Sequence, residues 1–462
     1  MGSHRYWIPN AEDIEELVRK AGFSGVGELF SDIPRSVLAR GFWDSLPIGA
    51  GRPLSEMEVV EWVRERLARV WGGGVPPFLG GGAWAHYVPA YQRFILRLGE
   101  FLTSYTPYQP EASQGLLQAL FEYQSLMAEI LDMDVVNSSH YDGSTALAEA
   151  VLMALRLRRG RRRVVVPDTL DPRYRKVLEA YLRPHGVVIS EIPSNRECGC
   201  VDLEALDEVV TGETAAVVFE FPNSIGVVDG GAEQVGEAAR RAGALYIVKT
   251  DPIAATLYKP PGELGADIAV AEGQPLGLGL NYGGPYLGVM AVRWDLRLIR
   301  QMPGRIAGLS RDSEGRRAFA LILQAREQHI RRARATSNIT TNEALMAVLA
   351  AAYIAGHGGE GLRIVAENVR AKTLYLKEKL RGAGLETVEA ETWRDTPFRA
   401  PTGDFEGLAE ALRRRKLYIG PPLHEASAEW LDRSWGLIAV TEAHRKRHID
   451  LLVDAIGEAL RR

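Results

Sequence analysis

Residues 215–252 read AAVVFEFPNSIGVVDGGAEQVGEAARRAGALYIVKTDP. Two short apolar runs, Ala215–Glu220 and Leu245–Lys249, bracket Ala232–Ala242, where apolar residues recur at helical spacing. The runs are continuous and β-branched rather than alternating, so both faces of each strand must be buried, as in a parallel sheet covered by helices. Working outward, the same rhythm continues through Arg163–Val166, Pro172–Leu182, Val187–Ile192 and Leu203–Val210 on one side, and Ile268–Ala271 and Tyr286–Val292 on the other. This is a doubly wound α/β domain with a mostly parallel sheet. Upstream, the helical patterns Gln114–Leu131 and Thr145–Leu157 flank a polar stretch, Asn137–Thr145. Beyond Met302 the pattern turns mostly helical (Phe319–Ala333, Asn342–Ile354, Gly361–Leu380), and the remainder suggests a smaller α+β C-terminal domain. Arg5 to about Leu38 reads as a helical arm, followed by Gly- and Pro-dense chain around one helix, Ser55–Trp71, which opens on a Ser55-x-x-Glu58 capping box. The expected division is an arm over 1–90, a large domain over 91–335 and a small domain over 336–462.

The chain has 462 residues, 46% hydrophobic and 25% charged, with a formal net charge of −4, which fits an ordinary globular protein of two or three domains. That balance offers no field for nucleic acid; Arg156–Arg163 and Arg413–Lys416 read as solvated faces. No apolar run approaches the roughly 20 residues of a membrane span, and Met1–Asn10 has no signal-peptide core, so a cytoplasmic protein is expected. The two cysteines, Cys198 and Cys200, are half a metal site at best, and His86, His140 and His329 lack ligand-spaced partners.

Gly72–Gly74, Gly80–Gly82 and Gly277-x-Gly279 do not fit a dinucleotide fingerprint, and no P-loop is present. Asn137–Thr145, with His140, Asp142 and Ser144, runs into a helix N-terminus. There it is either a phosphate cradle or a solvated loop with an Asp142/Ser144 cap. Asp251 follows the strand Leu245–Val248 at its carboxyl end, where ligands of open α/β sheets bind. Its carboxylate could pair with a protonated ring nitrogen, as pyridoxal phosphate enzymes require, or simply form an Asp-Pro turn. Such an enzyme needs a nucleophilic lysine after the next strand. The chain has only nine lysines, and none lies between Lys259 and Lys372, so the strand at 268–271 leads into Glu272-Gly-Gln-Pro275 without one. Lys249 alone is near a plausible site, but it precedes Asp251. Two further polar segments, Ser104–Gln114 and Thr336–Asn342, are rich in directed hydrogen-bonding groups and read either as site walls or as capped loops.

Several stretches together resemble the glycine decarboxylase family, the P-protein of the glycine cleavage system, and within it subunit 1 of the two-subunit form. They are Arg5–Pro9 with Glu28–Pro34, Phe78–Pro89, Tyr105–Gly115, Tyr141–Ala146, Gly273–Gly277 with Gly283–Gly288, Met302–Arg305, Gln324–Arg332 and Ala335–Thr340. The resemblance implies the fold-type-I pyridoxal phosphate transferase fold. It also implies that the cofactor lysine belongs to subunit 2, its position falling at or near Pro275 in this chain. His140, Asp142, Ser144, Asp251 and Pro275 would then form a vestigial site. Thr336, Ser337, Asn338 and Thr340 would contact the phosphate of pyridoxal phosphate held covalently by the partner. His86, Tyr105, Thr106, Tyr108, Gln109, Glu111 and Gln114 would wall the substrate or the lipoyl arm. The implied partners are glycine decarboxylase subunit 2 and the lipoylated H-protein, in a heterodimer or a dimer of heterodimers. A non-catalytic scaffold or regulator, and a self-sufficient pyridoxal enzyme using Lys249, are the alternatives.

Overall fold

The computed structural model describes residues 11–37, 54–70, 74–324 and 327–461. The segments Arg5–Pro9 and Ala325–Arg326, part of the resemblance, lie outside them, as does Trp71. The chain forms two compact units, Met1–Gly72 and Gly73–Arg462. The first contains the helices Ala11–Lys20 and Glu56–Val70. The expected capping box is present: Ser55 N–H donates to Glu58 Oε2 at 2.8 Å and Glu58 N–H to Ser55 Oγ at 3.3 Å.

The second unit is built on a seven-stranded sheet. Its strands lie in the order Val135–Val136, Gly288–Val292, Ile268–Glu272, Leu245–Thr250, Thr214–Phe221, Arg163–Pro167 and Val188–Ile192. All run parallel except Gly288–Val292, which pairs antiparallel with both its neighbours. The continuous apolar runs have the predicted consequence. Val165, Val217, Phe219 and Val248 enter one core with the helix Gln114–Leu131 and the first half of the long helix Ala344–Gly382. Val164, Val166, Val218 and Ile247 enter the other, under the helices Gly143–Leu157 and Pro172–Leu182. Each buried large aliphatic side chain contributes about 1.5–3 kcal/mol, so this double burial dominates the sheet's stability.

Two expectations need correction. The helix expected over Phe319–Ala333 is instead a β-hairpin, Ile306–Arg311 with Arg317–Ile322, followed by a short helix Gln328–Arg331. Its turn is closed by Asp312, which accepts the Arg316 N–H at 2.9 Å, while Phe319 and Leu321 point inward. The two helices expected over 342–380 are present, divided at Gly358, whose φ of 64° breaks the helical backbone. The arm ends earlier than residue 90. Phe78–Leu79 pairs with Ile419–Gly420, and Phe78 is fully buried in a further core of the second unit, among Leu376, Phe398, Phe405 and Ile449. Around that core lie the antiparallel strands Glu386–Thr387, Asp395–Arg399 and Trp435–Ala439 and the helices Phe405–Arg413 and Lys446–Leu460. Among the described residues no helix is long and apolar enough to cross a membrane.

Candidate active site

The parallel strands end at a cleft lined by Trp84, Tyr174, Ser224, Lys249, Asp251 and Arg394 among others. Asp251 sits where the sequence places it, just beyond Leu245–Thr250, but its charge is already engaged. One oxygen accepts the N–H groups of Ile253 (2.9 Å) and Ala254 (3.0 Å), and the other is paired with the Arg394 guanidinium. Arg394 also pairs with Asp395 at 3.2 Å and lies 3.2 Å from the centroid of the Trp84 ring. The indole N–H of Trp84 donates to Asp395 at 2.9 Å, and burial pushes the Asp395 carboxyl up from its ordinary value. All four side chains are nearly inaccessible. The loop carrying Trp84 approaches so closely that a Cβ at Gly80 would sit 1.9 Å from Asp395 Oδ1, which only glycine avoids.

Lys249 is ion-paired with buried Glu220 at 2.6 Å, bonded to Ser224 Oγ at 3.1 Å and set over the Tyr174 ring. The polar loop at the N-terminus of Gly143–Leu157 is likewise occupied. Asp142 caps the Thr145 N–H at 2.7 Å and accepts from Ser144 Oγ at 2.6 Å. The Gly143 N–H donates to Glu272 Oε2 at 2.9 Å. Glu272 is buried and also accepts from the N–H groups of Gln274 (2.8 Å) and Leu287 (3.3 Å); burial nonetheless pushes its carboxyl up to about 8. His140, fully buried beside Asn137 at 2.8 Å, is pushed down to about 3 by burial and stays neutral. Pro275 is buried just beyond Glu272.

Pyridoxal phosphate requires a free anion recess, an acceptor for its ring nitrogen, a lysine and space. Here Glu272 fills the helix N-terminus, Arg394 takes Asp251, Glu220 holds Lys249, and the remaining cavity is about 40 Å³. Ligand sites are typically about 300–1,000 Å³. The chain's own cleft does not fit the cofactor.

The remaining expected residues lie elsewhere, and two groups of them adjoin. The Thr106 hydroxyl is bonded to that of Thr341, whose carbonyl accepts from Ser139 Oγ at 2.9 Å, so the loop at 105–109 abuts the one at 336–341. Tyr105, Tyr108, Gln109 and Glu111 are exposed on this face. Gln114 is not, because its amide is spent on the hairpin, donating to Phe319 O at 2.8 Å and accepting the Phe319 N–H at 2.8 Å. Ser337 needs a similar correction: its one proton goes to buried Glu149 at 2.8 Å, which leaves none for a phosphate. Asn338 is exposed, Thr340 half-buried, and Thr336 opens on a groove of about 390 Å³ lined by Arg156, Arg161, Arg162 and His185. His86 joins neither group. It is buried against Glu442 at 2.8 Å; burial pushes that carboxyl up, but the imidazole and the Tyr87 N–H outweigh it and bring it down to about 2. Sequence reasoning missed Trp84, Glu272, Arg394 and Asp395 as site residues. The Gly-rich run before Trp84 was the one local signal of close approach.

The sheet order and the strand-end cleft beside a capped helix N-terminus define the architecture of the fold-type-I pyridoxal phosphate enzymes. A sphingosine-1-phosphate lyase of Burkholderia pseudomallei shares this fold over 90% of this chain and 93% of its own, with a TM-score of 0.64 at 16% identity. The glycine cleavage system P-protein family model matches residues 4–456, and the chain belongs to that family. It is 50% identical to a probable glycine dehydrogenase (decarboxylating) subunit 1 of Aeropyrum pernix, over 98% of this chain and 99% of that one. A crystal structure of glycine decarboxylase (P-protein) of the glycine cleavage system, in inhibitor-bound form, superposes with a TM-score of 0.85 at 39% identity, over 99% of this chain and 100% of that one.

Proposed function

We propose that this chain is the cofactor-free half of a two-subunit glycine decarboxylase. With subunit 2 it decarboxylates glycine and passes the aminomethyl group to the lipoyl arm of an H-protein. Pyridoxal phosphate supplies the electron sink that such a decarboxylation demands. The observation that supports the reading is the filled cleft: Asp251, the expected ring acceptor, is already paired with Arg394, which favours action through another subunit's site. Its contribution to that site is the exposed face formed by Tyr105, Tyr108, Gln109 and Glu111, adjoining Thr336, Asn338 and Thr340. The two prolines, Pro107 and Pro110, restrict the backbone there, so the polar groups are held with little further ordering cost, as positioning a small substrate requires.

The test is release of CO2 from glycine by the chain alone, by subunit 2 alone and by the pair. Activity is expected only from the pair. Tyr108→Phe or Gln109→Ala should leave assembly intact and lower the pair's kcat/KM for glycine about tenfold or more, about 1.4 kcal/mol of transition-state stabilisation. If both variants assemble poorly and the residual complex turns over normally, the segment is interface structure only.

A further inference from the structure

Two segments that resemble the family but received no role, Met302–Arg305 and the described residues 327–332 of Gln324–Arg332, send Arg305 and His329 to Tyr108. Arg305 is 2% exposed and Glu327 5%, and the two are ion-paired through Nη1 and Oε2. From this pair the other guanidinium nitrogen, Nη2, donates to the Tyr108 hydroxyl at 2.7 Å. The His329 ring packs edge-on against Tyr108, with centroids 5.2 Å apart, and its Nδ1 lies 3.3 Å from Glu327 Oε2. A buried ion pair is a poor way to stabilise a fold, since well-packed apolar residues often do as well or better. Its value lies in what it orients. Arginine has donors and no acceptor, so the phenol oxygen must accept, and its own proton has to point elsewhere. Tyr108 is 48% exposed, on the same face as Tyr105 and Gln109. Its O–H is therefore an outward-directed donor, strengthened by the cation behind it.

We propose that Arg305, clamped by Glu327, is a positioning residue that fixes the Tyr108 hydroxyl as the donor to the carboxylate of a small amino-acid substrate at the subunit interface. This rests on the reading of Tyr105–Glu111 as part of the partner's site. The loss of the clamp weakens substrate binding through Tyr108 and leaves the fold in place.

The test uses the assembled complex and compares Tyr108→Phe, the paired replacement Arg305→Met with Glu327→Leu, and the triple variant. The paired replacement keeps the interior neutral and filled. Tyr108→Phe and the paired replacement should each raise the KM for glycine roughly tenfold, and the triple variant should be no worse than Tyr108→Phe, the non-additivity of residues acting as one unit. Arg305→Lys, which keeps the charge beside Glu327 but not the fork that reaches both partners, should raise KM likewise and guards against a paired variant that fails to assemble. If Tyr108→Phe raises KM while the Arg305 variants do not, or if the effects add, the clamp is refuted and the site reading stands. If Tyr108→Phe is normal but Gln109→Ala is impaired, the clamp again fails alone. If both are normal, the site reading fails and the clamp with it.

Discussion

Arg394 holds two buried carboxylates, Asp251 and Asp395, while stacked on Trp84. Arg394→Ala would strand both charges, and breaking a buried pair in this way costs about 3–5 kcal/mol. We expect a correspondingly lower urea midpoint for the isolated chain; an unchanged midpoint would mean the guanidinium does not organise the cleft. Glu272 gives a pH-dependent counterpart. Its carboxyl titrates at about 8 when folded against an ordinary 4.5, so between those values the folded chain keeps a proton that the unfolded chain has released. Its contribution is therefore full below about 4.5 and declines as pH rises toward 8. Glu272→Gln, which mimics the protonated form, should flatten the fall in melting temperature between about pH 5 and about pH 8; parallel curves for variant and parent would refute the assignment. The place of Asp251 at a strand end was legible, and the missing lysine was legible by inspection. What filled the site was not, because Trp84, Asp251 and Arg394 are joined only by folding.

At the scale of elements, the loop from Ala335 to Thr341 separates two roles that the sequence lists side by side. Ser337 is bonded to Glu149, whose burial pushes its carboxyl up, so Ser337→Ala should lower the stability of the isolated chain by about 1–3 kcal/mol. Thr336→Ala should leave that stability intact and raise the cofactor dissociation constant of the assembled complex, by up to about 1–3 kcal/mol of lost binding. Thermal unfolding of the chain and cofactor titration of the complex separate the two; a reversed pattern would exchange the assignments. Helices with clear periodicity, such as Gln114–Leu131 and Ala232–Ala242, were legible to the residue. The hairpin at 306–322 was not, because Phe319–Ile322 is a short apolar run that suits either period and the turn signal at Asp312–Gly315 was passed over. The reversed direction of Gly288–Val292 did have a signal: no helical pattern separates it from Ile268–Glu272, and a parallel neighbour would need such a crossover.

At the scale of the whole molecule, a fold built to hold pyridoxal phosphate has its ring acceptor, its helix N-terminus and its nearest lysine all engaged by its own side chains. On the function proposed above, the chain would act by completing a neighbour's site, and the cofactor should be found on one subunit of each pair. The most direct measurement is borohydride trapping of labelled pyridoxal phosphate, on the chain alone and on the chain assembled with subunit 2, followed by peptide mapping. We expect no label on the chain alone, and in the complex one label per heterodimer, all of it on subunit 2. Label on Lys249, or on any other peptide of this chain, would contradict that claim.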